Sequence, residues 1–402
     1  MKSFSKLTQG LLGQPMLEIL STVCAMEAAG KKVYRFEIGD SYFDAYPHVI
    51  AATKEALDNG HTKYVDSLGI PALREAICDY TERKLGFRPD ISQVAIMPAN
   101  SVIDFVMRCV VDPGDEVIFS DPGFAAYIAV ASYLGIKMVK VPVWEKNDFR
   151  LNPDDLLPRI TAKTRLIIIT SPQNPTGSVM TEDEMLRVAE IAKEKDVYLL
   201  SDEIYSENIY DCRHYSPAVV DKCRERTIIL NGFSKGHSMS GWRLGYAIGP
   251  TELIAKMGQM FETVYTCVPP FIQYAGISAL NTPQELVQQR ISQYKKLRDL
   301  MVARLNDIPG ITCATPKGAI YVFPNITGTG LTSKEFAKFV LEKAGVAVVP
   351  GSCFGEGGEG YVRLCYARSE ETIEEACAAM KLALIRQRKV KKPSVSRGII
   401  TI

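Results

Sequence analysis

Three nearly continuous apolar runs in the middle of the chain constrain its fold more than any other feature. They read RLIIITSP from Arg165, VYLLSDEIY from Val197 and TIILNGF from Thr227. Strands that are apolar at successive positions bury both faces, which is typical of a parallel sheet covered by helices on each side. Between the first two runs, Thr181 and Glu184 have the spacing of a capping box that opens a helix. This succession predicts an α/β fold.

The pattern changes after Pro283. A long polar helical pattern leads into short strands, another helical pattern and a charged final helix, which together indicate a smaller α+β domain. We predict four parts: an N-terminal segment, residues 1–48, that packs on the small domain; a large domain, residues 49–282; a connecting helix with the small domain, residues 283–390; and a mobile tail, residues 391–402.

Composition excludes several classes of function. The chain has 402 residues and a net charge of +1. This charge is too small to produce a positive electrostatic potential that would attract nucleic acid or an anionic membrane. Its ten cysteines contain no C-x-x-C pair, and its four histidines lack metal-ligand spacing. No apolar run reaches membrane-spanning length and no secretory signal is evident. We therefore expect a cytoplasmic protein with no metal site, no membrane partner and no nucleic-acid partner.

Polar and aromatic residues follow the predicted strands at the points where the strands end. Asn174 follows the first run, Asp202 and Tyr205 the second, and Lys235 the third, while Phe124 follows an earlier strand. Ligands of α/β sheets bind beyond the carboxyl ends of the strands. Each of these residues on its own has an ordinary structural explanation, as part of a turn, as a solvated surface lysine or as a core side chain. Their joint occurrence in this order indicates a shared site.

The stretches NPTG, SDEIY and SKGHSMSGWRLGY carry a family resemblance when they occur in this order. Together they resemble the class I/II aminotransferases, which are fold-type I pyridoxal phosphate (PLP) enzymes of the aspartate aminotransferase superfamily. The resemblance covers almost the whole chain. It implies a large α/β domain with a mostly parallel sheet, a smaller α+β domain and a homodimer. It also implies transamination between an L-amino acid and a 2-oxo acid.

The resemblance assigns cofactor contacts to individual residues. Lys235 would form a Schiff base with pyridoxal 5'-phosphate and act as the general base. Asp202 would pair with the pyridine nitrogen, and Tyr205 would hydrogen-bond the phenolic oxygen; with Lys235 these are the expected catalytic residues. The remaining expected cofactor contacts are Asn174 at the phenolic oxygen, Phe124 on the ring face, and Ala99, Asn100, Ser234, Arg243 and the partner subunit's Tyr64 around the phosphate.

The resemblance also implies a substrate site. Arg363 would bind the α-carboxylate of the amino acid, with further contacts from Asn174 and the backbone of Gly39. Tyr42, Phe43 and Tyr265 could favour a bulky side chain, although core packing explains them equally well. No second cation for a dicarboxylate can be assigned from the sequence, and the identity of the substrates stays open.

Two positions depart from the family pattern. Gly232 stands where a hydroxyl three residues before the lysine is common, and Pro98 stands where serine or glycine often precedes the phosphate-binding helix. Both departures are expected to remove phosphate contacts. Two alternatives to transamination remain. The first is another reaction of the same fold, namely that of a β-lyase, a decarboxylase or a cyclopropane-forming synthase. The second is a non-catalytic PLP-binding regulator.

Overall fold

A seven-stranded sheet organises most of the chain. The computed structural model describes residues 4–9, 11–13 and 15–391. The sheet has the order β2-β8-β7-β6-β5-β3-β4, and β8 is antiparallel to both of its neighbours while the other pairs are parallel. Its strands are β2 (Val94–Ile96), β3 (Glu116–Asp121), β4 (Lys137–Pro142), β5 (Thr164–Thr170), β6 (Tyr198–Asp202), β7 (Thr227–Gly232) and β8 (Gly245–Ile248). The predicted mostly parallel α/β fold is confirmed.

The central strands bury both faces. In β5, Leu166 and Ile168 pack into the hydrophobic cluster on one side of the sheet, and Ile167 and Ile169 pack into the cluster on the other side. All four side chains are buried. This two-sided burial explains why the strand is apolar at successive positions rather than at alternate ones.

Helices cover the sheet and form the remaining layers. Around the sheet lie α3 (Pro47–Asp58), α4 (Pro71–Leu85), α5 (Ala99–Val110), α6 (Ala125–Leu134), α7 (Glu182–Glu194), α8 (Thr251–Val264) and α9 (Pro270–Leu280). The predicted capping box is present at α7. Thr181 accepts a hydrogen bond from the Glu184 N–H, and the Glu184 carboxylate accepts one from the Thr181 N–H.

A second core lies in the C-terminal part of the chain. The antiparallel sheet β11-β12-β9 comprises β9 (Tyr321–Val322), β11 (Val349–Pro350) and β12 (Val362–Cys365), and β1 (Tyr34–Arg35) pairs in parallel with β10 (Val346–Ala347). The helices beside them are α10 (Gln284–Asn306), α11 (Ser333–Ala344) and α12 (Glu370–Lys391), and two N-terminal helices, α1 (Lys6–Gln9) and α2 (Pro15–Ala28), precede β1. The four-part division of the chain stays a prediction.

Two further observations bear on the sequence-based expectations. Within the part of the chain that the structure describes, no helix is both long and apolar enough to cross a membrane. Of the predicted mobile tail, residues 391–402, Lys391 is the last residue of α12, and residues 392–402 lie outside the described residues.

Candidate active site

A cavity of about 220 Å³ opens at the carboxyl ends of the parallel strands. We call it the first cavity. Apart from Tyr64, the predicted site residues all line it: Gly39, Ala99, Asn100, Phe124, Asn174, Asp202, Tyr205, Ser234, Lys235, Arg243 and Arg363. Tyr64 lies elsewhere on the surface, with 85% of its area exposed. The folded chain therefore brings together residues that are up to 324 positions apart, from Gly39 to Arg363.

Asp202 is a buried carboxylate held in a fixed orientation. It ends strand β6, and its Oδ2 accepts a hydrogen bond of 2.5 Å from the Tyr127 hydroxyl. Its Oδ1 accepts one of 3.2 Å from the Ile204 N–H. Burial raises the pKa of the Asp202 carboxyl to about 6, although both hydrogen bonds favour the ionised form. Such a carboxylate is stabilised by any cationic group that enters the cavity.

Lys235 extends into the cavity from the loop after β7. Its Nζ donates a hydrogen bond of 2.5 Å to the backbone oxygen of Gly39. A side chain at Gly39 would displace Tyr321, because a Cβ atom there would overlap the Tyr321 hydroxyl. The Tyr321 hydroxyl is in turn 2.8 Å from the Tyr205 hydroxyl. The part of the cavity near the lysine amine is thus lined by the Gly39 carbonyl and the phenols of Tyr205 and Tyr321.

Arg363 is a buried cation that lacks a carboxylate partner among the described residues. Only 2% of its area is exposed, and it lies over the rings of Tyr321 and Phe354. Its Nη1 donates to Asn174 Oδ1 at 3.0 Å and its Nη2 donates to the Glu37 backbone oxygen at 2.7 Å. Its Nε is buried without a hydrogen-bond partner. Burying a cation without an opposite charge is costly, so binding of an anion beside Arg363 would be favourable.

The opposite end of the cavity offers backbone donors. Ala99 and Asn100 open helix α5, so their N–H groups precede the first intrahelical hydrogen bond. Gly245 lets β8 approach this helix end, because a Cβ there would lie 2.8 Å from the Ala99 nitrogen. Arg243 stands beside them in a left-handed conformation, with φ of 56°, and is exposed.

The structure explains the two departures from the family pattern. A Cβ at Gly232 would lie 3.0 Å from the Gly245 Cα and 3.1 Å from the Leu244 oxygen, so the pairing of β7 with β8 leaves almost no room for a side chain. Pro98 is the N-cap residue of α5 and has an extended backbone there. Because Pro98 precedes the first helical residue, its missing N–H removes no donor from the helical residues Ala99 and Asn100.

Sequence analysis missed two residues that support the site. Tyr127 lies in the apolar helix α6, where it resembles any core residue. Its spacing of three from Phe124 was the available signal, since residues at that spacing share one face of a helix, and the two rings are 5.5 Å apart. Tyr321 is in the short strand β9 and gave no local signal beyond strand alternation.

Known proteins resemble this chain over most of its length. The family model for aminotransferase class I and II matches residues 31–380. An aspartate aminotransferase from Pyrococcus abyssi is 42% identical over 369 residues, which cover 90% of this chain and 94% of that protein. An aromatic-amino-acid aminotransferase from Thermococcus litoralis is 40% identical, covering 88% of this chain and 92% of the other.

The chain belongs to the class I and II aminotransferase family. Its fold agrees with that of an aspartate aminotransferase from Thermus thermophilus solved with maleate, with a TM-score of 0.91 and 32% identity over 95% of this chain and 100% of that one. The protein is thus a fold-type I, pyridoxal phosphate-dependent aminotransferase that uses amino acids and 2-oxo acids.

The cavity of this aminotransferase fits the cofactor chemically. The open N–H groups at the start of α5 suit a phosphate, and the Gly245 contact keeps that helix end accessible from β8. Phe124 provides an apolar face suited to a planar ring. The buried Asp202 carboxylate suits a protonated pyridine nitrogen, which would offset the cost of burying its charge.

Proposed function

We propose that the first cavity carries out transamination with Lys235 as the cofactor-linked residue and general base. The observation that carries this proposal is that Lys235 and Arg363 line the same cavity. Arg363 offers a buried guanidinium with an open Nε, which suits the α-carboxylate of an amino acid. Lys235 offers an amine that can take the proton from the α-carbon of the substrate that Arg363 positions.

The other residues would hold and tune the cofactor. Ala99, Asn100, Ser234 and Arg243 would hold its phosphate, and Phe124 would lie against its ring. Asp202 would keep the ring nitrogen protonated, while Asn174 and Tyr205 would hydrogen-bond the ring hydroxyl. When bound, pyridoxal phosphate supplies an electron sink for the charge that develops at the substrate α-carbon. Gly39 and Asn174 would complete the substrate contacts around Arg363.

The assembly that we propose is a homodimer in which Tyr64 contacts the phosphate bound to the partner subunit. The high exposure of Tyr64 and its position outside the cavity of its own chain support this role. Sedimentation equilibrium of the holoenzyme tests the assembly. A monomer would remove Tyr64 from the cofactor contacts.

The first test concerns Arg363. Wild-type enzyme with an L-amino acid donor and 2-oxoglutarate or pyruvate should form the new amino acid and the donor's oxo acid in equal amounts. Arg363→Leu should lower kcat/KM by about 100-fold or more, because each lost charge-assisted hydrogen bond contributes roughly 1.5–3 kcal/mol.

Arg187→Leu provides the matched control, since this arginine lies on the surface of α7. It should leave kcat/KM unchanged. Near-normal kinetics in Arg363→Leu would remove this residue from the substrate site. Release of carbon dioxide would instead favour a decarboxylase, and release of ammonia without formation of a new amino acid would favour a β-lyase.

The second test concerns Tyr127, which we assign as a positioning residue for Asp202. Its hydrogen bond lowers the pKa of the Asp202 carboxyl, so Tyr127→Phe should raise that pKa. The acidic limb of the kcat profile should therefore move to higher pH, by about one unit, because Asp202 stays protonated over a wider range. Steady-state kinetics between pH 5 and 9 measure the shift.

Tyr133→Phe is the control, because Tyr133 lies on the same helix and its hydroxyl contacts Asp104 instead. Its acidic limb should coincide with that of the wild type. An unmoved limb in Tyr127→Phe would show that the hydrogen bond to Asp202 does not control its ionisation.

A further inference from the structure

A second cavity of about 580 Å³ lies on one face of the same sheet. It is enclosed by α4, the loop after β6, the strands β7 and β8, and the first half of α10. None of the described residues that line it also lines the first cavity. Its volume falls in the range of small-molecule sites, roughly 300–1,000 Å³.

The two cavities share the strands that separate them. Asp202 at the end of β6 and Leu230 in β7 line the first cavity, while the residues that follow them, Glu203 and Asn231, line the second, because neighbouring residues of extended backbone point to opposite faces. Glu207 of the second cavity also packs on the loop that carries Lys235. A Cβ at Gly236 would lie only 2.6 Å from the Cβ of Glu207.

Two carboxylates line the second cavity, the buried Glu203 and the partly buried Glu207. Glu203 accepts hydrogen bonds from Ser201, Ser216 and His214. No lysine or arginine among the described residues pairs with it, so His214 is its one potentially charged partner. Glu207 pairs with Lys84 and accepts from Tyr80. A carboxylate offers about four lone-pair sites, so each has acceptor capacity left.

Tyr246 is one of the polar residues of this cavity that lack a hydrogen-bond partner among the described residues, and the Nδ1 atom of His214 is another. Only 3% of its area is exposed, and it lines the cavity from β8. Its hydroxyl makes no hydrogen bond to a described residue, and it is not among the fully buried unpartnered atoms, so it is open to the cavity. Tyr246 pairs with Asn231 of β7, and the Glu203 N–H donates to the oxygen of the neighbouring Leu230, so these residues meet at one cavity, which Glu207 also lines. Burial raises the pKa of the Tyr246 phenol, and the charges of Glu203 and Glu207 raise it further.

We propose that the second cavity binds a small organic ammonium ion. A primary ammonium has three donors, which match the Tyr246 oxygen and the free acceptor sites of Glu203 and Glu207. Lys84, Arg213 and Lys295 also line the cavity, so the ammonium is placed beside Glu203, which has no lysine or arginine partner among the described residues. The ammonium could belong to a simple amine, or to an amino acid whose carboxylate meets Lys295, which lines the cavity from α10 and also pairs with Asp211 and Asp299.

The experiment uses holoenzyme reduced with borohydride, in which amines no longer react at the first cavity. Calorimetric titrations with 1,4-diaminobutane, L-ornithine and succinate compare an amine, an amine with an α-carboxylate, and a carboxylate alone. We expect 1,4-diaminobutane or L-ornithine to bind with a Kd of about 1 mM or below. Tyr246→Phe should weaken that binding about tenfold or more, through the loss of one charged hydrogen bond.

Tyr198→Phe is the matched control, because Tyr198 begins β6 and lines neither cavity. It should bind the amines as the wild type does. Circular dichroism and transaminase activity report the fold of each variant, and Glu207→Gln is the second variant should Tyr246→Phe misfold. Tighter binding of L-ornithine than of the diamine would identify an amino acid as the ligand class.

Three outcomes overturn the proposal. The first is the absence of amine binding at millimolar concentration in the wild type. The second is equal amine affinity in the wild type, Tyr246→Phe and Glu207→Gln. The third is binding of succinate in preference to both amines, which would indicate an anion site formed by the cations at the rim.

Discussion

Lys235→Ala should lose transamination, with kcat reduced by at least about 1,000-fold, while the protein still binds pyridoxal phosphate non-covalently. The loss is large because one side chain links the cofactor and also moves the substrate proton, and proton transfer alone contributes roughly 100- to 10,000-fold. The phosphate and ring contacts proposed for α5, Phe124 and Asp202 are unaffected, so cofactor binding should weaken without disappearing. Steady-state kinetics and equilibrium dialysis of the cofactor measure the two effects.

Lys338→Ala is the matched control for this prediction. Lys338 is an exposed lysine on α11, where it faces Glu342 one turn away. The variant should keep wild-type activity. Borohydride reduction followed by peptide mapping should place the cofactor on the peptide that contains Lys235. Attachment to any other lysine would show that the catalytic assignment is wrong.

The second large effect is expected for Asp202→Asn, which should lower kcat by about 100-fold or more with cofactor still bound. Asparagine preserves the shape of the side chain but removes the negative charge that would hold a proton on the ring nitrogen. An unprotonated ring is a poor electron sink, so proton removal from the substrate becomes slow. Single-turnover kinetics with an amino acid measure this step directly.

Asp154→Asn provides the control, because Asp154 is an exposed carboxylate paired with Arg187 on the surface. It should react at the wild-type rate. The proposal for Asp202 also requires a slowed first half-reaction, in which the amino acid reacts with the holoenzyme. Normal single-turnover rates in Asp202→Asn would show that the carboxylate has no electronic role.

Much of the fold was predictable because burial on two faces leaves a local signature. The runs at 165–170, 198–202 and 227–232 became β5, β6 and β7, each buried on both sides. Strand β8, Gly245–Ile248, was not predicted, since its residues were interpreted as part of the lysine motif. Its antiparallel direction depends on a tight return from β7 through the lysine loop, which no periodicity reveals.

The lining of the first cavity was also largely predictable. Residues at the ends of parallel strands meet at one edge of the sheet whatever their separation along the chain. Tyr127 and Tyr321 escaped prediction because they act through partners, Asp202 and Tyr205, that lie far away in sequence. The second cavity escaped for the same reason, because α4, β8 and α10 form it together.

The sequence by itself therefore determined the sheet, the order of its central strands along the chain and the set of reactive groups at their ends. These properties follow from local alternation and from motifs within a few residues of each strand. Only the tertiary structure decided which groups share a cavity, which charges stay unpaired and which hydroxyls lack a partner. The Nε of Arg363 is buried without a partner because the groups around it, Asn174 and the Glu37 backbone, come from distant parts of the chain, and burial removes the water that would otherwise satisfy it. The Tyr246 hydroxyl faces a cavity that α4, β8 and α10 form together.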